Sequence, residues 1–132
     1  MTASRTRVLC LLGTLALMSL VFILSSHALP PMPINFTGID KIEHLTVYGV
    51  LGILILRSMR HGESGYSAAQ IAAAVAIASA YGISDEVHQY FVPGRTADVL
   101  DWCADTAGAL AATLVAAAWI RHTSTKPVSG TT

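Results

Sequence analysis

The fold of this chain is decided by residues 84–108, which read SDEVHQYFVPGRTADVLDWCADTAG. Pro93 and Gly94 form a strong turn signal in the middle of this stretch. Acidic residues lie on both sides of the turn, and an apolar run borders each end. The stretch therefore predicts the top of a helical hairpin with acids on both legs. Charged residues make up only 12% of the chain, so this concentration of charge indicates where function is to be expected.

Composition indicates that the chain lies in a membrane. Hydrophobic residues make up 53% of its 132 residues, and the mean hydropathy is +0.57. Apolar runs near the length that crosses a bilayer exclude an ordinary soluble domain. Two cysteines, Cys10 and Cys103, are too few and too far apart for a disulfide framework or a Cys-x-x-Cys zinc site. We therefore expect an all-α integral membrane protein with a single domain over residues 1–132.

The apolar runs predict four transmembrane helices, at about residues 8–26, 41–58, 67–91 and 97–120. The first run follows Arg5 and Arg7 and is longer than the core of a signal peptide, so we expect this helix to remain attached. Three prolines within residues 30–33 predict a loop after it. Asp40 and Glu43 have the spacing of a capping box and predict the start of the second helix.

The third helix is predicted to continue past Ser84. If it ended there, Asp85 and Glu86 would lie at the negative end of the helix dipole, which is unfavourable. We therefore expect it to run to Tyr90 or Phe91, just before the turn. Its alanines recur at every fourth position and predict a face on which a neighbouring helix packs closely. These alanines are Ala68, Ala72, Ala76 and Ala80.

Basic residues predict the orientation of the four helices. Six of them fall on one side of the four-helix arrangement, namely Arg5, Arg7, Arg57, Arg60, Arg121 and Lys126. Only Lys41 and Arg95 fall on the other side. By the positive-inside rule, both chain termini are expected in the cytoplasm. The acids show the opposite distribution, since seven of the eight fall on the external side.

Polar residues from three helices are expected to meet at one depth. Counted from the cytoplasmic ends, His44, Asp85 and Asp105 lie about 20, 27 and 22 Å up their helices. This agreement predicts one outward-facing polar pocket rather than scattered charges. Its expected members are Asp40, Lys41, His44, Tyr48, Asp85, Glu86, Gln89, Arg95, Asp101 and Asp105.

Negative charge exceeds positive charge in this predicted pocket. Either some carboxyls share protons, or the pocket binds a cation. The candidate metal ligands are His44, His88, Asp85 and Asp101. Arg95, at the hairpin turn, is expected to pair with Asp101 or Glu86, because its planar donors suit carboxylates. Lys41 is the expected counter-ion for the remaining acids.

Three ordered motifs resemble the VanZ-like family of small bacterial membrane proteins. They read Asp40-Lys41-x-x-His44-x-x-x-Tyr48, then Asp85-Glu86-x-x-Gln89-x-Phe91-x-x-x-Arg95-x-x-x-x-x-Asp101, then Asp105-x-x-Gly108. The family commonly has Asn where this chain has Asp105. The resemblance implies a multi-pass protein of the bacterial cell membrane. It also implies a link to low-level resistance to the glycopeptide teicoplanin, the property of the family's namesake.

Two kinds of function fit the predicted pocket. One is binding of an envelope lipid or a lipid-linked ligand, and the other is an acid–base or metal-assisted enzyme acting on a lipid-linked substrate. The sequence has no Walker-type phosphate loop, G-x-S-x-G elbow or H-E-x-x-H zinc motif. Ion translocation is disfavoured, because the cytoplasmic halves of the helices offer no polar path. No cofactor and no nucleic-acid partner are expected, and a bound divalent cation is left open.

Overall fold

The computed structural model describes residues 3–28, 38–60 and 65–124. The helices in these ranges are α1 (Ala3–Ser25), α2 (Ile39–Ser58), α3 (Ala68–Tyr90) and α4 (Val99–Ser124). The described residues contain no strand, and each helix end lies within five residues of its predicted position. The prediction of an all-helical fold is therefore confirmed for the described residues. The proline-rich loop of residues 30–33 and Lys126 lie outside the described residues.

The helix ends are capped differently from the prediction. No side chain caps α2, whose N-cap is Gly38 with φ 108°, so the predicted capping box of Asp40 and Glu43 is wrong. A capping box forms at α3 instead, where Ser67 and Gln70 exchange side-chain hydrogen bonds with each other's backbone N–H groups. The spacing of Asp40 and Glu43 still located the helix start, because acids favour the first turn of any helix.

The helices alternate in direction. At one end of the bundle, Arg7 Nε donates to the carbonyl of Ser58 at 3.2 Å, which places the start of α1 beside the end of α2. At the other end, Ser26 Oγ and His88 Nε2 lie 2.9 Å apart, which joins the ends of α1 and α3. We call the first the basic end, because it carries Arg7, Arg57 and Arg60, and the second the acidic end.

The closest helix contact lies between α2 and α4, which run parallel. A Cβ atom at Gly108 of α4 would collide with the carbonyl oxygen of Leu45 on α2. A Cβ at Gly52 of α2 would lie only 3.1 Å from the Cα of Ala109. Small residues thus let these two backbones approach each other. The core beside them is formed by Tyr48, Leu51, Ile55, Leu56, Tyr66, Ile71, Ala74, Ala78, Ala109 and Ala117.

The buried face of α3 is not the one predicted. The alanines at positions 68, 72, 76 and 80 are all exposed. Ile71, Ala74, Ala78 and Gly82 are buried instead and face the other helices. Spacing along a helix shows which residues share a face, but it does not show which face meets the neighbours. The prediction was therefore wrong about the face of α3 on which the other helices pack.

Three of the described helices are long and apolar enough to cross a membrane, over Ser4–Ser25, Ala68–Tyr90 and Val99–Thr123. Most large apolar side chains of α1, including Leu12, Leu15 and Phe22, are exposed. An apolar outer surface of this extent is typical of a protein surrounded by lipid. Helix α2 is more polar, because it carries charged residues in both its first and last turns.

Candidate functional site

The acidic end is organised around the contact of His44 with Asp105. His44 Nδ1 lies 2.8 Å from Asp105 Oδ1, joining α2 to α4, and Asp105 is fully buried. Gly82 of α3 faces this carboxylate, and a Cβ atom there would lie 2.8 Å from Asp105 Oδ2. Asp105 therefore fits between the helices because α2 and α4 approach closely and because Gly82 of α3 has no side chain.

Lys41 bonds to three carboxylates at the surface of the acidic end. Its Nζ lies 3.0 Å from Asp40 Oδ2, 2.7 Å from Asp98 Oδ2 and 2.5 Å from Asp101 Oδ1. The Lys41 hydrogen bond holds the pKa of Asp98 below its ordinary value. These bonds connect the first turn of α2 to the start of α4.

Asp98 belongs to this network, although the sequence reasoning did not place it in the pocket. Its Oδ1 accepts from the backbone N–H of Leu100 at 2.8 Å, which caps the start of α4. Its own backbone N–H donates to Glu86 Oε2 at 2.7 Å and connects the hairpin legs. An aspartate at the start of a predicted helix is a signal that indicates this capping role in the sequence.

Glu86 lies between His44, which contacts Asp105, and Asp101, which Lys41 binds. A carboxylate oxygen of Glu86, a ring nitrogen of His44 and a carboxylate oxygen of Asp101 all lie within 4.8 Å of one another. Glu86 is 9% exposed, and its Oε1 has no hydrogen-bond partner among the described residues. Three helices thus contribute one ionisable side chain each to a single small volume.

A second part of the acidic end is a small cavity next to this cluster. Its volume is about 110 Å³, and residues of α1, α2 and α3 line it together with Arg95. Gln89 Nε2 donates to Asp85 Oδ2 at 2.9 Å, and both residues are buried. Tyr48 lines the cavity beside them and is 1% exposed, yet its hydroxyl has no partner among the described residues.

Arg95 does not make the predicted ion pair. In the described part of the chain it has no carboxylate within 4.0 Å, and its Nε is buried without a partner. The cation that reaches Asp101 is Lys41, because α2 packs against α4, and Glu86 accepts a hydrogen bond from the backbone of Asp98. Arg95 instead lines the 110 Å³ cavity.

His88 is directed away from the other candidate metal ligands. Its ring stacks on Phe22 of α1 with centroids 4.5 Å apart, and its Nε2 contacts Ser26. The structure therefore brings His44 and Asp101 together, and Glu86 completes the group in place of Asp85 and His88. Asp85 and Glu86 differ by about 100° in direction around α3, and Glu86 is the one that forms a group with His44 and Asp101.

The cluster and the cavity have different chemistry. One imidazole and several carboxylates in a poorly hydrated volume can bind a cation or exchange a proton with a ligand. The cavity is lined by Tyr48, Arg95 and Asp85, whose side chains carry a phenol, a guanidinium and a carboxylate. It therefore presents both hydrogen-bond donors and an acceptor to a small polar group.

Comparison with known proteins gives one match. A model of the VanZ/LLP1 family matches residues 11–121, which include α2, α3, most of α1 and α4, and the whole acidic end. No curated protein and no solved structure matches the chain.

Proposed function

The chain belongs to the VanZ/LLP1 family, and on that premise we propose that it binds the head group of an envelope lipid or lipid-linked ligand. The proposal includes a location in a bacterial cell membrane as one multi-pass domain over residues 1–132. It has four transmembrane helices and both termini in the cytoplasm. The basic residues support this orientation, because Arg7, Arg57 and Arg60 lie at the end opposite the acidic cluster. The acidic end then faces outward.

The main support is the meeting of four ionisable side chains from three helices inside an otherwise apolar bundle. These are His44, Glu86, Asp101 and Asp105. Burying such groups next to lipid is expensive, and proteins that do so use them in function. A purely structural role would need far fewer charges, since the α2–α4 contact already forms through small residues.

The unpartnered atoms of the cavity support a ligand at this end. Tyr48 OH, Asp85 Oδ1 and Arg95 Nε are buried and have no partner among the described residues. Native proteins rarely leave such atoms unsatisfied. The cavity volume of about 110 Å³ fits a small polar group, such as a phosphate or a sugar hydroxymethyl, rather than a lipid chain.

The test is to identify lipids that co-purify with the protein in nanodiscs by mass spectrometry. Tyr48→Phe combined with Arg95→Gln should lose a species that the wild type retains, because both changes remove donors from the cavity. Tyr66→Phe is the matched control, since Tyr66 is also a buried tyrosine whose hydroxyl has no partner in the part of the chain that the structure describes, but it lies just before α3, at the basic end. An identical lipid profile in all three proteins would contradict the proposal.

An acid–base enzyme acting on a lipid-linked substrate is the second candidate. The contact of His44 with Asp105 favours it, because a carboxylate that orients an imidazole is a common arrangement in general acid–base catalysis. If the chain is an enzyme, a lipid identified in the previous experiment should be chemically changed by the wild type. His44→Gln should bind that lipid and leave it unchanged.

A role in teicoplanin resistance is a further proposal, and it is carried by family membership. Expression of the wild type in a teicoplanin-sensitive bacterium should raise the minimum inhibitory concentration. The doubly substituted Tyr48→Phe, Arg95→Gln protein should not. Equal sensitivity with and without the wild type would remove resistance from the proposal and leave head-group binding in place.

A further inference from the structure

Three side chains from three different helices converge on one point of the acidic end. They are His44 of α2, Glu86 of α3 and Asp101 of α4, with ligand atoms within 4.8 Å of one another. Nitrogen and oxygen ligands about 2.1 Å from a common ion are separated by roughly 3.0 to 3.5 Å. Side-chain rotations that shorten these separations by up to about 1.3 to 1.8 Å would therefore bring the three atoms to bonding distance from one ion.

The His44 ring is oriented for coordination. Its Nδ1 faces Asp105 Oδ1 at 2.8 Å, so a proton on Nδ1 is held by that carboxylate. The free Nε2 then faces Asp101 Oδ2 at 3.9 Å, inside the group of three. A metal-binding histidine commonly donates its other ring N–H to a carboxylate, which fixes the tautomer and the ring. Asp105 is in the position of such a carboxylate.

The Glu86 carboxylate gives independent evidence for a ligand. It is held by the backbone N–H of Asp98 through Oε2, and within the described ranges of the chain its Oε1 has no partner, although the residue is only 9% exposed. A buried carboxylate oxygen left unsatisfied costs free energy. Lys41 does not remove this cost, because its Nζ bonds to Asp40, Asp98 and Asp101. A cation between Glu86, His44 and the second oxygen of Asp101 would remove it.

We propose that His44, Glu86 and Asp101 bind one divalent transition-metal ion of the Mn²⁺ or Zn²⁺ kind, with Asp105 as the residue that positions His44. A ligand set of one imidazole and two carboxylates suits these ions better than Ca²⁺, which takes six to eight oxygen ligands. The Lys41 bond leaves Asp101 Oδ2 available. The metal site shares His44 with the lining of the cavity but uses no atom of the cavity donors Tyr48 and Arg95, so metal binding and head-group binding can be tested separately.

The test measures metal binding by the purified protein. No lipid ligand is added, and the protein is purified with an affinity tag that contains no histidine. After removal of metal with a chelator, the wild type should bind one Mn²⁺ or Zn²⁺ per chain in a calorimetric titration. Bound Mn²⁺ should also show coupling to an imidazole nitrogen by pulsed electron paramagnetic resonance. Glu86→Gln and His44→Gln should each weaken binding by at least about tenfold. Glutamine can still accept the Asp98 N–H bond, so Glu86→Gln is designed to keep the fold.

Two histidines outside the group provide matched controls. His88→Gln and His27→Gln should bind metal as the wild type does, because His88 contacts α1 and His27 is exposed. Unchanged affinity in Glu86→Gln would overturn the site, as would loss of binding in His88→Gln. Absence of nitrogen coupling in the wild type would overturn it even if the variants failed to fold.

Discussion

Lys41 Nζ lies 2.5 Å from Asp101 Oδ1, so the counter-ion of the acids on α4 comes from the first turn of α2 and not from the hairpin turn. The two side chains are 29% and 13% exposed, which makes this a partly buried ion pair. Arg95, although nearer in the sequence, has no such pair in the described part of the chain. Stability at the acidic end should therefore depend on Lys41 more than on Arg95.

Removing Lys41 should cost more stability than removing Arg95. Lys41→Met leaves Asp101 without its cation, and we expect a loss of about 2 kcal/mol, between the values for exposed and buried pairs. Arg95→Met removes no ion pair and should cost about 1 kcal/mol or less. The measurement is the free energy of unfolding in mixed micelles. In double-mutant cycles, the stability losses of Asp101→Asn and Lys41→Met should be coupled, whereas those of Asp101→Asn and Arg95→Met should add. The reverse pattern would support the ion pair of Arg95 with Asp101 that the sequence predicts.

Gly108→Ala should destabilise the bundle. The added Cβ would collide with the carbonyl oxygen of Leu45 and force α2 and α4 apart, which we expect to cost about 1 to 3 kcal/mol. Gly13→Ala is the control, since its Cβ would meet Leu54 Cδ2 at an ordinary 3.5 Å. That variant should be neutral or gain up to about 1 kcal/mol from helix propensity. Equal thermal stability of the two variants in detergent would contradict the close contact.

The ion pair of Asp98 should make a pH-dependent contribution to stability. Because the hydrogen bond from Lys41 lowers the pKa of Asp98, its contribution is present above the unfolded-state value of about 3.9 and is lost as the pH falls through the lower folded-state value. Asp98→Asn keeps the cap of α4 and removes the charge. The melting temperature of the wild type should exceed that of Asp98→Asn at pH 7, and the difference should shrink below about pH 3.9. A difference that does not change with pH would mean that the charge is not responsible.

Reporter fusions should confirm the proposed orientation. Fusions after His61 and after Ile120 should report the cytoplasm, and a fusion after Pro33 should report the exterior. The positions alternate because neighbouring helices of the described chain run in opposite directions. A fusion at Ile120 that reports the exterior would overturn the four-span arrangement and reverse the direction in which the acidic cluster faces.

The first helix should remain attached in the mature protein. Tyr81 of α3 donates from its hydroxyl to the carbonyl of Met18, and His88 stacks on Phe22, so α1 contributes partners to buried or half-buried polar groups. The intact mass of protein extracted from membranes should therefore include α1. A mature chain that begins near Leu29 would show that residues 1–28 are a signal peptide.

Sequence reasoning located the acidic end but not the arrangement within it. Helical rise gave the depths of His44 and Asp105, and the structure places these two side chains in contact. The helical rise per residue gives no information on how α3 is rotated about its axis. The sequence therefore does not show that Glu86, rather than Asp85, forms a group with His44 and Asp101. It also could not show that Lys41 would reach Asp101 before Arg95, since that depends on the parallel contact of α2 with α4.

The pairing of α2 with α4 could not be predicted from the sequence, because small residues form the contact. Gly108 belongs to the third sequence motif, but nothing in the sequence identifies Gly49 and Gly52 as the small residues of α2 that face this part of α4. Glycines in an apolar helix are compatible with many helix faces, and only the collision of a Cβ with a particular backbone distinguishes them. The alanine stripe of α3 had the better periodicity and was nevertheless exposed.

The charged residues of α2 affect how this helix is inserted into the membrane during translation. This helix packs against all three others, and it is not among the three helices long and apolar enough to cross a membrane alone. During synthesis it leaves the ribosome before α4, the helix that supplies partners for Lys41, His44, Gly49 and Gly52. We therefore expect α2 to remain at the membrane surface, or only partly inserted, until α4 has been translated. Ribosome-stalled chains that end before Val99 should leave α2 accessible to water-soluble labels, and chains that include α4 should protect it.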